Sequence, residues 1–351
     1  MEIIAFDSHK WYTFVRVEDP EGKVITQGRI EHQRGQIKRH LSRFTTGSTV
    51  AVETIGNWYW IVDEIEEAGM RPALVHAFKA KKLMGKPNKT DKLDAQGLNV
   101  LQRTGTLPEV WIPPAEIRDK RDLARTRMVF SCMRVKLKNR IHSVFAKYAL
   151  HDFGEVSDIF GKTNRPLLEE RINELPPETR FTTQCMLKEL DSVQQKIDEI
   201  ERRMKEVCAK TPEIELLMTL PGIGFLLGVV VTYEMGDVGR FIGPSRFASY
   251  SGTTPRVHAS GGRVRFGPLR SDVNHYLKWA FSEAANSICL NRVWYPQRHV
   301  SRLYERIRKR KGHQVAIGAV ARHLAEAAYW VVKKREPYKE PVVKAASSKK
   351  T

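Results

Sequence analysis

The sequence lacks several patterns that would assign it to a class at once. Its four cysteines, Cys132, Cys185, Cys208 and Cys289, form no C-x-x-C pair, which argues against a zinc site or a disulfide framework. The longest apolar run, residues 225–233, is far too short to span a bilayer, and the acidic start M-E-I-I-A-F-D does not resemble a signal peptide. We therefore expect a soluble protein of a reducing cytosol, with no membrane partner.

Acidic residues are also scarce relative to basic ones. Lysine and arginine number 59 against 40 aspartates and glutamates, which gives a formal charge of +19 and an isoelectric point near 9.8. A chain this basic is suited to bind a polyanion, and nucleic acid is the most common one. The 351 residues allow two or three domains.

The first hundred residues alternate between strand and helix patterns. Three short strands are predicted first, and a helix, a strand, a second helix and a further strand follow: residues 3–7, 11–17, 23–30, 33–43, 49–53, 57–68 and 73–77. This order predicts an α/β layered domain.

The middle of the chain has helical periodicity. Residues 117–148 contain ten lysines or arginines and two acids, Asp119 and Asp122, which predicts one long basic helix. A proline-bearing stretch, residues 152–182, is predicted to be irregular. Apolar residues then follow a heptad spacing, at Met186, Leu190, Val193, Ile197, Ile200, Met204 and Val207. Such a seam fits either a two-helix hairpin within one chain or a dimerising coiled coil.

The last third of the chain is predicted to be mostly helical. It opens with T-L-P-G-I-G at residues 219–224, continues through a glycine-rich region to Gly267, and ends in helices near residues 274–286 and 314–334. L-P-G-I-G resembles the hairpin of helix-hairpin-helix modules, although a plain turn between helices explains it equally well. The final residues, 337–351, are expected to form a mobile basic tail.

Four carboxylates stand at the edges of predicted elements: Asp7, Glu53, Asp91 and Asp94. The ends of neighbouring central strands are adjacent in an α/β fold, so these acids can converge on one point, where carboxylates and phosphate oxygens bind Mg²⁺. A metal would also relieve the repulsion between Asp91 and Asp94, which are three residues apart on a helix. Lys89 and Lys92 would then face a phosphate backbone. Asp91 alone could instead be an ordinary first-turn acid after a Thr90 cap.

A glycine-rich segment, H-A-S-G-G-R-V-R-F-G at residues 258–267, places Ser260 in a sterically open position. Arg263 and Arg265 could bind phosphate oxygens beside it. On spacing alone this is more simply a serine in a turn. His258 and His275 are interpreted as ordinary polar residues, because nothing in their spacing suggests zinc.

Three motifs in this order, I-I-A-F-D-S-H-K, V-A-V-E-T-I-G-N-W and N-K-T-D-K-L-D-A, resemble the acidic motifs of the Asp-Glu-Asp-Asp transposases of bacterial insertion sequences, the Piv-like IS110 family. The resemblance covers nearly the whole chain. It implies an N-terminal RuvC-like domain of RNase H fold with Mg²⁺ on Asp7, Glu53, Asp91 and Asp94. It further implies a C-terminal transposase domain in which the serine of the S-G-G pattern, Ser260 here rather than Ser251, is the nucleophile. The flanks S-Y-S-G-T-T-P-R-V and R-S-D-V-N-H-Y-L-K-W-A also match, with a lysine at position 278 where an arginine is more usual.

The resemblance implies a domain order and a reaction. The expected divisions are a RuvC-like domain at residues 1–115, a basic helix and coiled-coil region at 116–211, the transposase domain at 212–336 and the tail. A covalent phosphoserine link to DNA is implied, and so is a homo-oligomer, a dimer or a tetramer, in which the two domains of different protomers combine. Donor DNA, target DNA and a structured bridge RNA are the implied partners in a bacterial cytoplasm, near the nucleoid.

Basic surfaces suited to these nucleic acids are residues 306–312 and the helix that carries Arg134, Lys136, Lys138 and Arg140. Two other functions stay open. One is a metal-dependent resolvase or nuclease that hydrolyses branched DNA with water, and the other is a non-catalytic nucleic-acid-binding protein.

Overall fold

A computed structural model describes residues 1–85, 90–156, 158–209, 211–270 and 272–341. The chain divides into two compact units, Met1–Pro113 and Pro114–Thr351, called the first and second unit below. Each is described by itself.

The first unit is built on a five-stranded sheet. Its strands are β1 (Ile3–Ser8), β2 (Tyr12–Glu18), β3 (Val24–Glu31), β4 (Thr49–Glu53) and β5 (Arg71–Val75). They lie in the order β3-β2-β1-β4-β5, in which β1, β2 and β3 are antiparallel neighbours while β1, β4 and β5 run parallel. Its helices are α1 (Gln36–Leu41), α2 (Trp58–Glu67), α3 (Ala77–Met84) and α4 (Asp91–Arg103).

Helices cover both faces of this sheet. Ile4 and Phe6 of β1 point to one face and pack in a core with Ile61 and Ile65 of α2. Ala5 points to the other face and packs with Leu98 of α4. The structure thus confirms the mixed α/β fold with its sheet, and the three layers are compatible with a RuvC-like domain. The strand predicted at residues 73–77 is wrong at its end, because β5 stops at Val75 and α3 begins at Ala77.

The second unit is mostly helical, as predicted. It comprises α5 (Ala115–Lys147), α6 (Arg165–Asn173), α7 (Pro177–Cys208), α8 (Pro212–Met218), α9 (Phe225–Met235), α10 (Pro244–Tyr250), β6 (Pro255–Ser260), β7 (Arg263–Leu269), α11 (His275–Asn291), α12 (His299–Lys311) and α13 (His313–Lys334).

The stretch predicted to be irregular, residues 152–182, contains α6 and the first six residues of α7. The prediction is wrong for these two segments, because prolines begin both helices. Pro166 and Pro177 lie in the first turns of α6 and α7, where the missing N–H of proline costs nothing and its fixed φ fits the helix.

Helices α5 and α7 form an antiparallel pair within the chain. Arg127 of α5 forms an ion pair with Glu201 of α7 at 2.7 Å. Directly after the end of α5, twenty-one residues later, the hydroxyl of Tyr148 lies 3.0 Å from that of Thr179. At Leu190, Val193, Ile197 and Met204 the heptad seam is buried inside the single chain. Of the two interpretations of the seam, the structure favours the intramolecular hairpin.

Two hydrophobic clusters stabilise the second unit. The larger one includes Phe247, Phe281 and much of α13, and the smaller one joins Ile141 and Phe145 of α5 to α6 and α7. Helix α13 is the one described helix long and apolar enough to cross a membrane by composition, but half of its apolar window is buried in this core. It therefore resembles the core helix of a soluble protein.

The described start of the expected tail, residues 337–341, forms hydrogen bonds with the rest of the second unit. The backbone N–H of Tyr338 donates to Thr219 Oγ1 at 2.8 Å, and that of His299 donates to the Glu340 carboxylate at 2.8 Å. Residues 342–351 lie outside the described residues.

Candidate functional site

Asp7 and Glu53 are positioned side by side by neighbouring parallel strands. Phe6 of β1 pairs with Val52 of β4, so the next residues on each strand are the two acids. Ala5 and Ala51, two positions earlier, are buried against α4. Because alternate residues of a strand share one face, both acids lie on the α4 side at the carboxyl ends of their strands.

The first turn of α4 supplies the other two acids. Thr90 caps the helix by accepting a hydrogen bond from the backbone N–H of Leu93, at 3.3 Å to its Oγ1. The cap places Asp91 and Asp94 in the first helical turn, where the helix dipole stabilises negative charge. The hydroxyl of Tyr12 in β2 donates to Asp91 Oδ2 at 2.9 Å, which ties this carboxylate to the sheet.

His9 joins the acids, although the sequence patterns did not point to it. Its Nε2 lies 3.4 Å from Asp7 Oδ2 and 3.3 Å from Asp91 Oδ1. One ligand atom from each of these three residues falls within 4.8 Å of the others. The available signal was the spacing D-x-H at the end of β1, because residues two apart on an extended chain project to the same side.

Asp7 differs from the ordinary aspartate in its pKa. Burial raises its pKa to about 6, His9 acts in the opposite direction, and the charges of Asp94, Asp91 and Glu53 raise it further. Asp7 Oδ2 and His9 Nε2 are both buried without a hydrogen-bond partner within the described residues, so their 3.4 Å contact lacks hydrogen-bond geometry. A buried carboxylate oxygen that lacks a donor, facing further carboxylates, fits a divalent cation.

A buried ionic network holds α4 against β2. Glu18 is 2% exposed and accepts from Arg16 Nε at 2.6 Å and from a terminal nitrogen of Arg103 at 2.8 Å. Asn99 of α4 donates to the carbonyl of Arg16 at 3.3 Å. A buried charge is tolerated only when it is paired in this way. The network fixes the helix that carries Asp91 and Asp94.

Ser260 lies in the second unit, at the end of a two-stranded hairpin. It is the last residue of β6 and pairs directly with Arg263, the first residue of β7. Gly261 and Gly262 connect them with φ of 55° and 73°, the backbone that a two-residue hairpin turn requires. Ser260 therefore lies directly beside a regular turn, close to the turn position that its spacing predicts.

The two faces of this hairpin differ in chemistry. The register places His258, Ser260, Arg263 and Arg265 on one face, all exposed, so the hydroxyl is flanked by guanidinium groups. Ser251, the alternative serine, is buried and donates its hydroxyl to the carbonyl of Phe247 at 2.8 Å. Only Ser260 of this pair is accessible to a bulky substrate.

The predicted nucleic-acid residues differ in their environment. On α5, Lys136 and Arg140 are exposed, whereas Arg134 donates to Gln194 at 2.8 Å and Lys138 pairs with Asp158 at 2.9 Å. In the first unit Lys92 is exposed. Lys89 lies outside the described residues.

L-P-G-I-G forms the turn between α8 and α9, as a helix-hairpin-helix motif would. Gly222 has φ of 77°, and a Cβ there would lie 2.5 Å from the carbonyl oxygen of Ala284 in α11. The glycine is thus required by close packing, and phosphate binding at this turn stays a prediction.

Two family models match the chain. Residues 4–149 match the DEDD transposase domain of IS110-type elements, described as "Transposase", and residues 214–301 match the "Transposase IS116/IS110/IS902 family" domain. The chain belongs to the IS110/IS116/IS902 family of transposases. The first match contains all four acids, and the second contains Ser260.

Curated relatives agree with this membership. The chain is 24% identical over 245 residues to the transposase for insertion sequence element IS1111A of Coxiella burnetii, covering 70% of this chain and 66% of that protein. It is 23% identical over 330 residues to the transposase for insertion sequence element IS1328 of Yersinia enterocolitica, covering 94% and 96%. A probable family 20 transposase of Pseudomonas aeruginosa is 24% identical over 286 residues, covering 79% and 82%.

Proposed function

We propose that this protein cuts and rejoins DNA during transposition through a covalent link to Ser260. The observation that carries the proposal is the position of Ser260: an exposed hydroxyl at the end of β6, beside an open glycine turn and directly opposite Arg263. A serine in this setting can approach a phosphodiester, and the cationic face of the hairpin can neutralise its oxygens.

In the proposed reaction, the Oγ of Ser260 attacks phosphorus. A bond forms between Oγ and phosphorus while the bond from phosphorus to a deoxyribose oxygen breaks. The serine proton passes to a base, and the departing oxygen takes up a proton. Strand exchange reverses these steps, when the hydroxyl of another strand attacks the phosphoserine and restores the serine.

The carboxylate group of the first unit is proposed to hold Mg²⁺. Asp7, Glu53, Asp91 and Asp94 would be its protein ligands, and the buried unpartnered oxygen of Asp7 supports this assignment. When bound, Mg²⁺ polarises a phosphate and stabilises charge on the attacking and leaving oxygens. The hydroxyl of Tyr12 would orient Asp91, and the ion pairs of Glu18 would hold α4 against the sheet.

Donor and target DNA are the proposed substrates, and the family resemblance adds a structured guide RNA. The charge of +19 and the exposed Lys136 and Arg140 of α5 support a polyanionic partner. A homo-oligomer in the bacterial cytoplasm, in which the first unit of one protomer serves the second unit of another, is part of the same proposal.

The decisive experiment compares Ser260→Ala with Ser251→Ala. Labelled DNA is incubated with each variant, Mg²⁺ and the nucleic acid that copurifies, and protein-linked DNA is resolved on a denaturing gel. Ser260→Ala should bind DNA but form no adduct, because only the nucleophilic hydroxyl is removed. Ser251→Ala should retain the adduct. An adduct that persists in Ser260→Ala overturns the assignment.

The same gel separates the two other functions. A hydrolytic resolvase would still cut DNA in Ser260→Ala, since water bound at the carboxylates would attack. A non-catalytic binding protein would cut no DNA in the wild type at any Mg²⁺ concentration.

A further inference from the structure

A groove of about 850 Å³ opens beside the hairpin of Ser260. Its walls are the base of the hairpin on one side and helices α12 and α13 on the other. Its floor is apolar, formed by Phe266, Leu269, Ile307, Val315 and Ala319. The size lies within the range of ligand sites that bury one small molecule.

The apolar face of the hairpin leads into this groove. Val257, Val264 and Phe266 share the face opposite to Ser260, and they are 56%, 58% and 68% exposed. An isolated two-stranded hairpin with large apolar side chains exposed on one face is poorly suited to water alone. An exposed apolar face of this kind is typical of a surface that binds another molecule.

The rim of the groove is strongly cationic. Arg306, Arg310, Lys311 and Arg322 line it, and no acidic residue among the described ones does. Arg322 pairs with Glu326, whereas the other three have no ion-pair partner within the described part of the chain. An occupant must therefore combine a flat or apolar body with negative charge at its edge.

We propose that the groove takes a single unstacked nucleotide of a DNA strand, with its base on the apolar floor and its phosphates on the rim. The inference rests on the proposed function and specifies its substrate: DNA that is locally single-stranded near the reacting phosphate. Phe266 supplies an aromatic face for stacking, and the arginines bind the flanking phosphates.

The distance along the hairpin suits this arrangement. Phe266 lies three residues along β7 from Arg263, the partner of Ser260, which is roughly 10 Å of strand. The cationic face carries the serine and the apolar face leads to the groove. A DNA strand that crosses the hairpin edge would place a phosphate on the first face and a base on the second.

Gly318 of α13 offers a way to close the groove without disturbing the fold. It lines the groove, and a Cβ added there meets nothing within 4 Å. Replacement of a helical glycine also favours the helix. Gly318→Leu should therefore fill the groove in a folded protein, and Gly318→Ala, which adds a single methyl group, is its matched control.

The test measures the affinity of the full chain for two probes, a fluorescent oligothymidine of about fifteen nucleotides and a duplex of the same length. Gly318→Leu should lower oligothymidine affinity about tenfold, the cost of one lost stacking contact, and leave duplex affinity unchanged. Phe266→Ala should act likewise, whereas Phe181→Ala, a similarly exposed aromatic on α7, should have no effect. Circular dichroism verifies folding of each variant.

Equal oligothymidine affinity in Gly318→Leu and Gly318→Ala overturns the proposal. The proposal is also overturned if Gly318→Leu changes the oligomeric state, measured by light scattering, and leaves the oligothymidine affinity unchanged. The occupant of the groove would then be a second copy of the chain. Adduct formation by the wild type is measured in parallel. If the wild type forms the Ser260 adduct but Gly318→Leu keeps full oligothymidine affinity, only the groove proposal is rejected. If the wild type forms no adduct, the proposed function is rejected.

Discussion

The hydroxyl of Tyr12 donates to Asp91 Oδ2 across 2.9 Å, from a strand of the sheet to the first turn of the helix above it. The guanidinium of Arg29 lies 3.6 Å from the centre of the same ring and holds it in place. Tyr12 is thus a positioning residue for a carboxylate that belongs to the proposed metal site.

Tyr12→Phe should weaken Mg²⁺ binding about tenfold, because an outer hydrogen bond that orients a ligating carboxylate is lost while the stacked ring remains. Isothermal titration calorimetry measures the affinity. Tyr295→Phe, whose hydroxyl has no hydrogen bond among the described residues, is the control. Equal affinities in wild type and Tyr12→Phe would show that Asp91 needs no such support.

Asp94→Asn should abolish strand cleavage while nucleic-acid binding survives, since a metal ligand is lost and the basic surfaces are intact. Cleavage and gel-shift assays report the two properties, and EDTA should reproduce the effect in the wild type. The exposed Asp122→Asn should remain active. Full cleavage by Asp94→Asn would remove this residue from the site.

Stability without metal should fall as pH rises through the titration of Asp7. Its pKa in the folded protein is about 6, above the ordinary 3.8, so the folded state binds the proton more tightly than the unfolded state. The free energy of unfolding should then decrease by about 2 to 3 kcal/mol between about pH 4 and pH 6, relative to Asp7→Asn.

Urea titrations in EDTA at several pH values measure this difference. Saturating Mg²⁺ above about pH 7 should restore stability to the wild type and not to Asp7→Asn, because a ligand that binds only the folded state stabilises it. Parallel pH profiles for the two proteins would contradict the raised pKa.

Lys136→Ala combined with Arg140→Ala should flatten the salt dependence of DNA binding by about two units of the log–log slope, because both side chains are exposed and available to phosphate. Lys138→Ala should change it less, since Asp158 already neutralises that ammonium group. The measurement is affinity at a series of salt concentrations. A double change at the exposed Lys188 and Arg202 of α7 is the control, and an equal effect there would assign no special role to α5.

The sequence was sufficient to predict the sheet and the approach of the acids. Continuous apolar runs define β1 and β4, as is typical of strands buried on both faces. An acid follows the buried part of each strand, so the convergence of Asp7 and Glu53 follows from parallel pairing. Thr90 also marks the start of α4 correctly. These features depend on local periodicity and on a helix cap, and both can be recognised from the sequence alone.

His9 and the hairpin of Ser260 could not be derived in the same way. The role of His9 depends on Asp91, which is 82 positions away in sequence and meets it only after α4 packs on the sheet. The glycines at 261 and 262 indicate a turn, and the residues on either side alternate between apolar and polar. The apolar face of both strands is nevertheless exposed, so no buried core marks this segment as a strand pair.

Helix α5 has 33 residues and is about 50 Å long. Ala124 near its start belongs to the larger hydrophobic cluster, and Ile141 and Phe145 near its end belong to the smaller one. Between them, the described part of the chain connects the two clusters through the pairing of α5 with α7. We therefore expect the smaller cluster to open and exchange its amide hydrogens while the larger cluster remains folded.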